Sequence, residues 1–127
     1  MKFYIDADTE ISWTGEFPKK KKEALEASIQ KWEIVKKYHA DTKNDLQLRV
    51  GSDNCPLCEL YVNRTGSCKD CPVYKHTGEE ECINTSFYKY VNGYYWETLY
   101  KVANEMVKLL KGIYKKEYKA SYHSNDR

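Results

Sequence analysis

No apolar run in the 127-residue chain approaches the roughly 20 residues that a membrane-spanning helix requires. The opening MKFYIDADTE has acids early and no stretch of secretory-signal length, so the expectation is a cytoplasmic protein. Strong charge of one sign is also lacking. The 21 basic and 19 acidic side chains leave a net charge of +2, which argues against bulk polyanion binding and leaves only local patches. Such a patch would sit towards the C-terminus, where residues 94–127 carry seven basic and four acidic groups. Aliphatic core formers are scarce: the hydrophobic share is 41%, but 12 of those residues are tyrosines, which are only half apolar. A single small domain of this kind buries proportionally little surface, and a covalent or metal staple would help it fold.

Catalytic constellations are missing as well. There is no Ser/His/Asp set, no phosphate loop and no supported pair of carboxylates. Asp6 and Asp8 follow an apolar run as acids of a nucleophile loop would, but no β-α-β alternation comes after them, and turn formation is the better account. Glu79, Glu80 and Glu81 are consecutive, so they spread around the backbone instead of converging on a substrate. The expectation is a protein that is not an enzyme.

Cysteine is what the chain does have. CPLCELYVNRTGSCKDC places Cys55, Cys58, Cys68 and Cys71 within seventeen positions, and Cys82 follows eleven residues later. In a reducing compartment, Cys-x-x-Cys pairs are more often metal ligands or redox groups than disulfides, and an odd count disfavours full pairing. Two such turns facing each other supply the four thiolates of a tetrahedral structural Zn²⁺, and NRTGS would fold the second turn back on the first. Pro72, which cannot donate an N–H, spoils the second pair as a knuckle. Cys55, Cys58 and Cys68 are therefore the firmest ligands, and Cys71, Cys82 and His76 compete for the fourth place. An iron–sulfur cluster ranks below zinc because the ferredoxin spacing of three closely set cysteines is absent. A thioredoxin-like redox pair would need a β-α-β context that the chain lacks.

Around this segment the periodicity predicts a mainly α fold with an irregular, zinc-stapled middle. Leu25, Ile29, Trp32, Val35 and His39 mark an amphipathic helix over 20–40 with Pro18 at its first turn. Trp96, Leu99, Ala103, Met106, Leu110 and Ile113 mark a second helix over 94–118. Alternation at Phe3, Ile5, Ile11 and Trp13 suggests a short N-terminal hairpin turning near Asp8. Leu46 to Val50 reads as a short strand, 55–82 as the cysteine-rich module, 83–96 as an aromatic loop, and 121–127 as a disordered tail. Two features could contact a partner. The run Lys19, Lys20, Lys21 and Lys22 lies at the wrong end of a helix for its dipole, so it is either a solvated start or a site for an anionic partner. Tyr88, Tyr90, Tyr94 and Tyr95 either fill space around the metal loop, anchor a protein partner, or stack on single-stranded bases.

The order of these pieces is similar to that of short uncharacterised cysteine-rich proteins encoded in bacteriophage genomes. The matching elements are Trp32 on its helix, CPLCELY, CKDCPV, Cys82, TSFY and the VANEMVKLL helix, spanning roughly 22–113. The resemblance implies a small accessory factor acting on a host or phage macromolecule in the cytoplasm of a bacterial host. It implies no particular chemistry. A protein partner is the leading expectation, and nucleic acid the alternative.

Overall fold

The N-terminal alternation forms an antiparallel hairpin in the structure, a computed structural model that describes residues 1–62, 66–78 and 86–122. Strands β1 (Lys2–Ile5) and β2 (Ile11–Thr14) pair Lys2 with Thr14 and Ile5 with Ile11. Asp6 builds the turn: its Oδ1 accepts from the amides of Asp8 (2.9 Å) and Glu10 (3.1 Å), and its Oδ2 accepts from the Ser12 hydroxyl at 2.6 Å. These donors, Ser12 foremost, hold the Asp6 carboxyl below its ordinary value. The acids here are turn builders. The hairpin presses Phe3 and Ile11 into the core, and the Phe3 amide donates to Gln30 Oε1.

Helix α1 (Lys21–Thr42) buries Leu25, Ile29, Trp32, Val35 and His39, the stripe its periodicity predicts. It starts three residues after Pro18, so that proline precedes the helix instead of opening it. Helix α4 (Trp96–Tyr118) buries Leu99, Ala103, Met106, Leu110 and Ile113. Between them lie a 3-10 turn (Ser52–Asn54), a π-turn (Cys58–Val62), and two six-residue helices, α2 (Pro72–Thr77) and α3 (Ser86–Val91). Over the described residues the chain is thus mainly helical with one two-stranded sheet. Polar contacts show that α1 and α4 pack antiparallel: Lys21 meets Glu117 (2.8 Å), Tyr114 donates to Glu26 (3.1 Å), and Lys43 lies over Trp96.

Two expectations fail between the long helices. The segment 46–50 is not a strand, because its polar groups bond to other partners. Leu46 N–H goes to Asn44 Oδ1, Leu48 N–H to the Tyr90 hydroxyl, and the Gln47 side chain to the Val91 and Gly93 carbonyls. Asp45 meanwhile caps α4 from a distance, its Oδ1 accepting the Trp96 amide at 2.8 Å. The aromatic loop contains α3, a helix too short to reveal a 3.6-residue period. Gly93 closes it against the core, and a Cβ there would stand 2.9 Å from Leu99 Cδ2. Because Leu99 is fully buried, Gly93→Ala is expected to cost about 1–3 kcal/mol, read as a lowered denaturation midpoint.

Tyr90, expected at a partner surface, is fully buried and belongs to the core. Its ring packs edge-on against Trp32 (5.4 Å), and its hydroxyl contacts His39 Nε2 at 2.8 Å. The chemistry assigns the protons. The Asn44 carbonyl can only accept, so His39 Nδ1 carries the hydrogen and donates to it at 3.0 Å. The Leu48 amide donates to the Tyr90 oxygen, which leaves Tyr90 O–H to donate to the bare Nε2. A second proton on His39 would break this chain. Burial accordingly lowers the His39 pKa from 6.5, opposed by the Asn44 carbonyl and Asp45. Since the folded value lies below the unfolded one, stability is complete above about pH 6.5 and declines as pH falls below it. Thermal midpoints between pH 7.5 and 5 should therefore drop more steeply in the wild type than in His39→Gln, a contrast that separates His39 from any acid release of metal.

Candidate metal centre

Two Cys-Pro steps frame the cysteine segment, and each opens a helical turn. Cys55 precedes buried Pro56, and Cys71 is the N-cap residue of α2 with Pro72 at its first position. The Cys55 carbonyl accepts the Glu59 amide (2.9 Å), and the Cys71 carbonyl accepts the Lys75 amide (3.0 Å). A proline at the first helical position gives up no amide that the helix would use. Pro72 therefore starts a helix at the second pair, where the amide it lacks is one that the helix does not use. The Cys58 amide also donates to Cys55 Sγ at 3.2 Å, as a knuckle requires. Cys71 makes no such cap hydrogen bond, but the Val73 and Tyr74 amides still favour its thiolate.

Cys55, Cys58, Cys68 and Cys71 line one cavity of about 330 Å³, and none of the four is in a disulfide. Met106 and Leu110 of α4 form its apolar wall, while α1 contributes Ser28, Lys31 and Trp32. Lys31 and Ser28 were not anticipated. Lys31 is only 2% exposed, and its ammonium donates to the Asn54 carbonyl and to Asn54 Oδ1, both at 3.3 Å. Asn54 in turn accepts from the Gly51 amide and donates to the Arg49 carbonyl, which fixes the loop entering Cys55. Ser28 is 3% exposed, and among the described residues its hydroxyl has no hydrogen-bond partner. In the sequence, a lysine and a serine on a helix read as solvent-facing. Only their placement one turn apart beside the Leu25–Trp32 stripe hints otherwise.

The thiols differ sharply in acidity. The Cys58 thiol, the Lys31 ammonium, and the Cys58 and Leu57 amides together hold Cys55 down at about 6 against the effect of burial. Burial pushes Cys71 up to about 11, assisted by negative charge on Cys55 and Cys68. The sulfurs are thus close enough to feel one another, and the first is poised as a thiolate.

As donors, these residues fit a zinc ion in kind and number: four thiols outside any disulfide, an amide aimed at one sulfur, and an orphaned buried hydroxyl share one cavity. They are not preassembled. Among the described residues, no three His, Cys, Asp or Glu side chains are already arranged to hold a metal. His76, the other candidate ligand, is absent from the cavity wall. Its Nε2 lies 3.1 Å from Glu117 Oε1, on the carboxylate that also pairs with Lys21. Cys82 and Glu79 to Glu81 lie outside the described residues.

The expected partner-binding residues separate into two regions. Lys19 and Lys20 are exposed, whereas Lys21 pairs with Glu117 and Lys22 lies over the Tyr118 ring at 5.7 Å. This is the end of the helix pair where Lys115, Lys116 and Lys119 are also exposed. Tyr94 and Tyr95, 81% and 67% exposed, lie at the opposite end with Tyr88 and Leu46. A helix of 22 residues separates the two ends by about 30 Å. Tyr122, in the expected tail, packs against Tyr114 at 5.7 Å.

Set against family models, curated proteins and solved structures, the chain matches none of them. Among the described residues, no helix is long and apolar enough to cross a membrane.

Proposed function

We propose that the chain is a small zinc-stabilised interaction protein with no catalytic activity, an accessory factor of the bacteriophage type that works in a bacterial cytoplasm and binds a host or phage macromolecule. One observation carries the reading: four cysteines, none of them in a disulfide, line one cavity walled by residues of the two long helices. A tetrathiolate zinc is closed and structural, with no open position for a substrate. Cys71 is the fourth ligand in this reading, because it shares the cavity with the other three. The zinc ties the irregular middle to α1 and α4, and the ends of the helix pair remain for recognition. The partner is a protein that meets Tyr94, Tyr95, Tyr88 and Leu46, since exposed tyrosines of this kind anchor interfaces. A pull-down from the bacterial host with the wild type and with Tyr94→Ala/Tyr95→Ala tests the surface. A partner retained equally by both would refute the assignment.

A second reading is supported by the exposed lysines at the other end. Lys19, Lys20, Lys115, Lys116 and Lys119 form a basic end suited to phosphates. If they bind nucleic acid, oligonucleotide affinity should fall steeply with salt. The tyrosine cluster lies at the far end of the helices and would not join that contact.

A further inference from the structure

We infer that Lys31 and Ser28 of α1 are the charge-balancing wall of the thiolate site, a buried cation and a buried hydroxyl that face the metal-bound sulfurs. This rests on the zinc reading above and deepens it. Four thiolates around one Zn²⁺ leave two net negative charges beside the apolar walls of the cavity, and charge placed against apolar surface is costly unless it is paired or hydrogen-bonded. Lys31 supplies one compensating charge at that place. Lys31 lines the same cavity as the four cysteines, its ammonium is held by Asn54 at the entry to Cys55, and the residue is 2% exposed. Ser28, one turn earlier on the same face, presents a hydroxyl that has no partner among the described residues and is 3% exposed. A thiolate gives that hydroxyl an acceptor, and a donor to a metal-bound sulfur stabilises its charge. The two features are independent: one is a buried charge facing thiols, the other an orphaned polar atom in the same wall. The apolar residues Met106 and Leu110 opposite could not serve either purpose.

Chelator competition for zinc, on the full chain at fixed pH and salt, tests the proposal on the wild type, Lys31→Met, Lys31→Arg and Ser28→Ala. Methionine keeps the length of the stem and removes the charge. The expected result is at least a tenfold loss of zinc affinity in Lys31→Met, recovery of most of it in Lys31→Arg, and a severalfold loss in Ser28→Ala. Unchanged affinity in Lys31→Met overturns the proposal. If Lys31→Met does not fold, Ser28→Ala decides, because it only trims a hydroxyl: unchanged affinity there overturns it equally. Loss in Lys31→Met that Lys31→Arg does not recover makes Lys31 a packing residue, and that also overturns it. A wild type that takes up no zinc fails the metal reading itself, and it is recognised by the failure of the unsubstituted chain.

Discussion

Cys58→Ser is expected to release the metal and unfold much of the chain. Serine has nearly the same shape, so any large effect reports the lost thiolate rather than lost packing. Binding of structural zinc is worth about 10–16 kcal/mol in small domains, and that energy is folding energy. A natural domain holds only about 5–15 kcal/mol in total, so the remaining contacts cannot cover the loss. This chain is poorly placed to compensate, because the described part of its middle consists of short helical turns and loops. Far-ultraviolet circular dichroism and zinc content should fall together in the variant. Cys71→Ser should behave in the same way, and Cys82→Ser should retain the metal. A Cys58→Ser protein with the wild-type helical signal and a cooperative melt would count against the site.

The second large effect is expected at Tyr90. Tyr90→Phe preserves the ring against Trp32 and removes only the hydroxyl. That hydroxyl accepts the Leu48 amide at 2.9 Å and donates to His39 Nε2 at 2.8 Å. Both partners are buried, so each is left unsatisfied at a cost of about 1–3 kcal/mol. A combined loss of about 2–4 kcal/mol is expected, measured as a lower urea midpoint at pH 7.5 with an unchanged slope. A loss below about 0.5 kcal/mol would show that the network is not formed in solution.

The long helices were legible because burial imposes a period on them. Leu25 to His39 and Leu99 to Ile113 each repeat at three or four residues, and the structure buries those side chains. The hairpin could be read from its alternation, and Asp6 from its role in a turn. Six-residue helices such as α2 and α3 show too little of a period to be recognised. Their presence depends on tertiary partners, as when Tyr90 reaches across to His39. Tyr90 illustrates a second limit: a tyrosine looks the same in sequence whether its hydroxyl meets water or a buried histidine.

At the candidate centre, the spacing of the cysteines indicated that Cys55, Cys58, Cys68 and Cys71 come together, but not that Pro72 opens a helix. Proline lacks an amide, and at the first helical position that amide is not needed. Lys31, Asn54 and Ser28 could not be anticipated, since polar residues on a helix or in a loop ordinarily face solvent. What places them at the thiols is the packing of α1 over a segment more than twenty residues away.

Zinc analysis of the purified chain, paired with unfolding by a chelator, tests the central claim most directly. The account predicts about one zinc per chain and loss of the helical signal when the metal is withdrawn. A metal-free protein that is well folded, with all its cysteines reduced, would contradict it.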